Sequence, residues 1–290
     1  MSLTVSRSKT VFALLTLLLF ALQFGSNASQ RSQNPSTIEE DAERIIREYS
    51  SPQALAQMPR WKELIINVDD PTRLAILTNL PAAYRKYQNN NKTLNATLNA
   101  LIDRSLAPYN KHYSLVILSH REPTVMHENY SVLVVTTGLL ERIPDDAALA
   151  MFLFHETAHD FFAEESTRLK KQLNDLVNSK RANGPEAQQL VRQLMLIELK
   201  CDAVATRFAI VDALDTESFI DVLLKIYKDY PDQLNAPSYL GFNIHPSPQL
   251  RAHLIHSIDT DHQRSSTRSS QSSELKEIKK LIGRWPEKIK

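Results

Sequence analysis

The spacing of apolar residues predicts that most of the chain is helical. In residues 36–49, apolar side chains recur at helical intervals and acidic side chains occupy the opposite face. Prolines scattered between residues 52 and 81 then predict short helices and turns. A further helix is expected near residues 95–105, and helices return at Pro144 and dominate the chain from there to its end.

Two segments in the middle of the chain have the composition of β-strands. Residues 112–119 and 131–136 are apolar and rich in β-branched side chains, and the polar stretch 121–129 separates them. We expect these two segments to form a small β-sheet, with the polar stretch as their connection. The fold class that the sequence predicts is therefore α+β and mainly helical.

Composition excludes several classes of function. The five glycines lie too far apart to form a G-x-G-x-x-G or G-x-x-x-x-G-K-[ST] phosphate-binding loop. Cys201 is the single cysteine, so neither an internal disulfide nor a cysteine-rich zinc site can form. The 34 Lys and Arg residues nearly balance the 33 Asp and Glu residues, which gives no basic surface for nucleic acid. Any bound metal must therefore be held by histidine and carboxylate side chains.

Residues 1–28 have the layout of a secretory signal peptide. Arg7 and Lys9 precede an apolar run over residues 11–24, and small residues follow it. The run is shorter than the ~20 residues that a membrane-spanning helix needs, although an uncleaved anchor is the alternative. After cleavage near Ala28 we expect no stable membrane span and a periplasmic or secreted location. A lone thiol in place of disulfides favours a bacterial host.

The first candidate for chemistry is the motif His155-Glu156-x-x-His159. The residues before it, 147–154, are almost entirely apolar and predict a buried helix. Histidines four residues apart share one helical face and can reach a single ion, while Glu156 is displaced around the helix and can act as a base. Buried ionisable groups are costly unless paired or bound to metal, so a zinc peptidase site is favoured. The alternative is a helix end at which these side chains meet only solvent.

A second buried helix, expected from Glu186 onward, carries Glu198 and Asp202 at four-residue spacing. Both carboxylates point the same way from a largely apolar helix. One can complete the coordination of a metal, and the other can accept a hydrogen bond from the free ring nitrogen of a ligand histidine. The alternative is an exposed charged stripe that includes Glu186 and Lys200.

Together these motifs resemble the M48 family of zinc metallopeptidases. The likeness rests on the HExxH motif at residues 155–159 and on Glu198 and Asp202 as the ExxxD motif. That family includes the membrane CAAX-prenyl protease, the heat-shock membrane protease and soluble periplasmic quality-control peptidases. The resemblance implies a zincin-like domain with two buried helices that carry the metal ligands.

Further segments extend the resemblance along residues 113–258. Residues 134–140 (VVTTGLL) are similar to the strand and turn that precede the motif helix in that family. The His-Pro pair beginning at His245, followed by Arg251, is similar to its downstream His-Pro segment. Residues 121–129 depart from the family because they lack its Asn-Ala-Phe-like segment, which aligns the substrate.

The resemblance implies a role for each matching residue. The ligands of one zinc ion per chain would be His155, His159 and Glu198. Glu156 would be the general base, and Asp202 would orient a ligand histidine from behind. His245 or Arg251 is the expected hydrogen-bond donor to the oxyanion of the transition state. For His245, the alternative is an ordinary loop residue before a helix.

The remaining segments and residues have simpler interpretations. After the signal peptide we expect a helical region (29–110) packed on the catalytic domain, a peptidase domain (111–263), and a serine-rich linker with a short basic helix or tail (264–290). Cys201 is expected to be a buried, inert thiol. The histidines expected to be solvated or paired locally are His112, His120, His127, His253, His256 and His262.

The function that we expect from the sequence is zinc-dependent endopeptidase activity on secreted or cell-envelope polypeptides, in the manner of protein quality control. One alternative is a non-proteolytic binding protein that keeps the zinc fold for chaperone-like work. Another is a helical scaffold with a fortuitous motif. The intact Glu156 argues against a protein that has lost its activity, because replacing the base is the easiest route to such a loss.

Overall fold

Helices make up most of the described chain, as the apolar spacing predicted. The computed structural model describes residues 37–51, 53–54, 70–78, 84, 87–106, 112–128, 132–231, 239–260 and 271–283. The predicted signal peptide at residues 1–28 lies outside the described residues, as does the serine-rich stretch at 264–270.

The helices, numbered in chain order, are α1 (Ile38–Tyr49), α2 (Asp70–Thr78), α3 (Lys92–Leu106), α4 (Thr137–Arg142), α5 (Asp146–Ala158), α6 (Ala163–Asn178), α7 (Pro185–Val211), α8 (Glu217–Asp229), α9 (Pro248–Asp259) and α10 (Ser273–Gly283). A 3₁₀ turn, His159–Phe162, joins α5 to α6. The helices predicted near residues 36–49 and 95–105 correspond to α1 and α3. Within the described residues, every helix is too short or too polar to cross a lipid bilayer.

The sheet has three strands where the sequence predicted two. β1 (Ser114–Leu118), β2 (Val125–Glu128) and β3 (Val132–Thr136) are arranged in the order β1-β3-β2. β1 is parallel to β3, whereas β2 is antiparallel to it. β2 lies in the polar stretch that was expected to be a connection. The prediction missed this strand because an edge strand has a single partner and carries polar side chains such as His127 and Glu128.

The central packing is between α5 and α7. Every residue of α5 after Asp146 is buried, and α7 lies along it. α5 begins where the carboxylate of Asp145 accepts a hydrogen bond from the N–H of Ala148 at 2.9 Å. Pro185 begins α7, where a missing N–H costs nothing. These two helices carry the two sequence motifs, so their packing places the motifs face to face.

α1 belongs to the same compact unit as these helices. It begins with a capping box in which Thr37 and Glu40 each accept a hydrogen bond from the main-chain N–H of the other, at 3.2 and 2.8 Å. Its buried face, which includes Ala42 and Ile45, packs against α7 and α9. α1 is thus attached directly to α7, the helix that carries Glu198 and Asp202.

α10 lies in the segment predicted to be a short basic helix or tail, and it contributes to the core. Leu275, Ile278 and Ile282 are buried, and the helix packs against α3 and α4. Arg104 of α3 forms an ion pair with Glu274 at 2.6 Å. Apolar residues at three- and four-residue intervals form the buried face, because that spacing gathers them on one side of a helix.

Candidate metal centre

Two helices and the 3₁₀ turn bring together the three side chains that could hold a metal ion. His155 lies in the last turn of α5, and Glu198 lies in the middle of α7. α5 ends at Ala158, so His159 lies outside the helix, as the first residue of the 3₁₀ turn. The 3₁₀ turn continues along the direction of α5. His159 therefore lies about one helical turn beyond His155, on the same face. The two histidine rings are 5.0 Å apart and nearly perpendicular, at 84°.

The facing atoms of these side chains are close enough together to bind a single metal ion. His155 Nε2 lies 3.4 Å from Glu198 Oε2, and His159 Nε2 lies 3.7 Å from Glu198 Oε1. One ligand atom from each residue lies within 4.8 Å of the other two. His155 and Glu198 are buried, and His159 is half-buried. Imidazole nitrogen and carboxylate oxygen suit several divalent metals, so this buried group could hold an ion whose identity the donor atoms do not fix.

A buried ion pair supports His155 from the side opposite the ligand atoms. His155 Nδ1 lies 2.8 Å from Asp202 Oδ1. Arg251 of α9 donates to Asp202 through Nε and Nη2, at 2.7 Å each. A carboxylate on Nδ1 fixes the ring orientation and leaves Nε2 free to bind an ion. Asp202 therefore lies at Nδ1, the ring nitrogen of His155 that would not bind the ion.

The charges of the site shift the pKa values of its histidines in opposite directions. Burial alone would lower the pKa of His155, but Asp202 and Glu198 outweigh burial and raise it to about 10. Burial outweighs Glu198 at His159 and lowers that pKa to about 4. Arg251, together with His155, overcomes burial at Asp202 and lowers its pKa to about 2. Without an ion, His155 is thus protonated on both ring nitrogens at neutral pH, with Asp202 beside Nδ1 and Glu198 beside Nε2.

Glu156 is held close to the ligands but outside the ligand group. Its Oε2 accepts a hydrogen bond from the main-chain N–H of His127 on β2, at 3.1 Å. Burial alone would raise the pKa of Glu156, but the side chain of His127 and the charge of His155 lower it. Glu156 therefore stays ionised at neutral pH, which is the state that a general base requires.

The interpretation of His127 as a locally satisfied or solvated residue was wrong. Its side chain is 18% exposed and stacks on His159, with ring centroids 5.4 Å apart and planes at 10°. Its Nε2 lies 3.4 Å from Asp160 Oδ1, and its Nδ1 lies 3.8 Å from Glu156 Oε2. No spacing along the sequence signals this contact, because the pairing of β2 with β3 carries His127 to the site.

Other histidines agree with the simpler interpretation. His253 pairs with Glu43 at 2.9 Å, and His256 pairs with Glu217 at 3.0 Å, all with exposed side chains. His262 lies outside the described residues. These ion pairs are local surface contacts and contribute little to stability.

Cys201 lies directly behind the second ligand histidine. Its side chain is fully buried, and its Sγ lies 3.5 Å from His159 Nδ1. Burial and the charge of Glu198 raise the pKa of the thiol well above its usual value. Successive residues of α7, Cys201 and Asp202, thus contact the inner nitrogens of the two ligand histidines. Cys201 is buried as expected, and it contacts His159, which the sequence did not indicate.

The two residues expected to stabilise an oxyanion lie in different surroundings. His245 is half-buried just before α9, and burial lowers its pKa against the opposing charge of Glu198. Arg251 is buried, and its guanidinium is occupied by Asp202 on the inner side of His155. The charge of Glu198 thus acts on His245, whereas Arg251 lies behind His155, bound to Asp202.

The chain was compared with models of known protein families and with curated proteins. No family model matches the chain, and no curated protein is significantly similar to it.

Proposed function

We propose that this protein is a zinc-dependent endopeptidase with a zincin-like fold, of the M48 type. One observation carries the proposal, namely the convergence of His155, His159 and Glu198 on one point, with Glu156 beside them. The donor set of two imidazoles and one carboxylate is typical of catalytic zinc sites, which leave a further coordination position open. A purely structural zinc site would more often be closed by a fourth side chain.

The residues of the chain divide the chemistry among them. When bound, the zinc ion supplies a Lewis acid that polarises the scissile carbonyl and lowers the pKa of a water molecule. Glu156 accepts a proton from the attacking water and later delivers it to the leaving amine. Asp202 and Cys201 hold the rings of His155 and His159 so that both Nε2 atoms face the same point.

His245 is the donor that we assign to the developing oxyanion. Negative charge appears on the carbonyl oxygen only in the transition state, and a donor already in place stabilises it without reorganisation. Arg251 has a different role in this proposal. Because its guanidinium is bound to Asp202, it positions the carboxylate behind His155 and does not contact the substrate.

The edge strand β2 offers a place for an extended peptide. β2 has β3 on one side, and its residue His127 contacts Glu156 of α5. Main-chain pairing with an edge strand binds peptides of many sequences, because it uses groups that every residue has. We infer that polypeptides of the cell envelope or exterior are the substrates, consistent with the predicted signal peptide at residues 1–28.

The test compares the purified protein with Glu156→Gln. We expect about one zinc ion per chain in both forms and cleavage of unfolded casein by the wild type. In Glu156→Gln the rate should fall by roughly 10²–10⁴-fold while zinc content and folding persist. Glu217→Gln is the matched control, because Glu217 is an exposed carboxylate on α8 that pairs with the exposed His256, and the activity of this variant should equal that of the wild type.

Each contrary result removes a different part of the proposal. Absence of stoichiometric zinc would exclude the metalloenzyme. Activity that survives in Glu156→Gln would refute the assigned base. A zinc-loaded wild type that cleaves nothing would favour the non-proteolytic binding protein instead.

A further inference from the structure

The outward edge of β2 can be assigned group by group from the register of the sheet. Antiparallel partners alternate between pairs that exchange hydrogen bonds and pairs that do not. The N–H of Thr136 donates to the carbonyl of Thr124 at 3.0 Å, and Met126 pairs with Val134 two residues further along. The main-chain groups of Met126 therefore face β3, whereas those of His127 face away from it.

The outward N–H of His127 is already bonded to the candidate base. It donates to Glu156 Oε2 at 3.1 Å, so one carboxylate oxygen of the base is fixed to the main chain of the strand. A main-chain donor in a sheet cannot rotate away as a side chain can. The distance between β2 and the base is therefore set by the backbone.

The ring of His127 fastens the same residue to the motif helix and the turn after it. Nε2 lies 3.4 Å from Asp160 Oδ1, and Nδ1 lies 3.8 Å from Glu156 Oε2. The opposite oxygen of Asp160 accepts a hydrogen bond from the Tyr113 hydroxyl at 3.3 Å. The face of the ring lies against the ring of His159. His127 thus contacts the base, a metal ligand and a buried carboxylate at once.

We propose that His127 is a positioning residue for the reaction, holding Glu156 by its main-chain N–H and fixing β2 to the motif helix by its ring. This inference rests on the proposed function, since a base needs positioning only where it removes a proton. It has a structural consequence for substrate binding. Because the N–H of His127 is reserved for Glu156, a peptide added to β2 pairs with the main chain of Val125 and with the carbonyl of His127.

The first test measures the contact without any activity. Amide hydrogen exchange of β2 is followed by NMR in the wild type and in Glu156→Ala. Loss of the acceptor should speed exchange of the His127 amide by about tenfold or more, because a hydrogen bond to a charged acceptor is among the stronger ones. The Met126 amide, which faces β3, is the internal control and should change little. Equal exchange of the His127 amide in both proteins would overturn the contact.

The second test separates positioning from binding. His127→Phe keeps an aromatic ring against His159 and removes both ring nitrogens, and His127→Ala removes the ring altogether. We expect kcat to fall about tenfold to a hundredfold in both variants, with KM within about threefold of the wild type. Zinc affinity should stay within about threefold, because His127 is not a ligand. His253→Ala removes an exposed histidine that pairs with Glu43, and it should match the wild type in kcat, KM and zinc affinity.

The outcomes distinguish this inference from the proposed function. An unchanged kcat in zinc-loaded His127→Phe and His127→Ala would overturn the positioning role while leaving the peptidase intact. Loss of zinc from His127→Phe would overturn it in favour of a role in metal binding. A wild type without peptidase activity would overturn the function and the positioning role together, and the exchange experiment would still decide whether Glu156 accepts the His127 N–H.

Discussion

Asp202 and Arg251 form a buried two-point ion pair, in which Nε and Nη2 of the guanidinium donate to the two carboxylate oxygens at 2.7 Å each. The pair joins α7 to α9 and leaves Asp202 Oδ1 close enough to His155 to hold its ring. Both side chains are almost completely buried. One interaction therefore serves the packing of two helices and the orientation of a candidate metal ligand.

Replacing Asp202 by Asn should weaken zinc binding about 10–100-fold, since the ring of His155 would lose its charged partner. Competition with a chromophoric chelator measures this change. Asp221→Asn, on the exposed side of α8, is the matched control and should bind zinc as the wild type does. An unchanged affinity in Asp202→Asn would mean that His155 needs no support from this carboxylate.

Replacing Arg251 by Ala should destabilise the metal-free protein by about 3–5 kcal/mol, because the Asp202 carboxylate would remain buried without its cation. Urea unfolding measures the free energy. Arg181→Ala breaks an ion pair with Glu186 whose side chains are 66% and 59% exposed, and it should cost less than about 1 kcal/mol. Equal losses in the two variants would contradict the importance of burial.

Zinc affinity should depend on pH because the ion must displace the proton of His155. Its pKa of about 10 keeps His155 protonated at neutral pH in the metal-free protein, whereas His159, with a pKa of about 4, is already neutral. Affinity should therefore rise about tenfold per pH unit between about pH 6 and 8, with one proton released per ion. Calorimetry in buffers of different ionisation enthalpy counts that proton. A pH-independent affinity would contradict the prediction.

The Cys201 thiol should resist alkylation in the folded protein. It is fully buried, and burial raises its pKa well above the usual value, so the reactive thiolate is scarce. Iodoacetamide followed by mass spectrometry should modify the single cysteine in urea but not in native buffer. Rapid modification of the native protein would show that the helix around Cys201 opens readily.

Gly138, where β3 passes into α4, should not tolerate a methyl group. A Cβ at this position would lie 2.0 Å from the carbonyl oxygen of Arg121, a backbone atom that cannot move aside alone. Gly138→Ala should therefore destabilise the protein by about 1–3 kcal/mol or more, measured by urea unfolding. Gly283→Ala, at the end of α10, meets no atom within 4 Å and should leave stability nearly unchanged. A neutral Gly138→Ala would mean that the segment around Arg121 can shift.

Local spacing in the sequence determined the elements that carry the candidate metal ligands. Residues four apart meet on one helical face in any helix, so the pairing of His155 with His159, and of Glu198 with Asp202, follows from the sequence alone. The long apolar runs around these residues predicted burial, because a helix that is apolar on most of its faces is buried in the core. The sequence therefore predicts which side chains share one face of a single helix.

The tertiary structure decided which distant residues meet. β2 lies in the polar stretch 121–129, where the sequence predicted no strand. Its register against β3 brings His127 to Glu156. Likewise, the packing of α9 on α7 directs Arg251 to Asp202, behind His155, and α10 is part of the core. Contacts between segments far apart in the chain depend on how whole faces pack, and the sequence of either segment alone does not encode them.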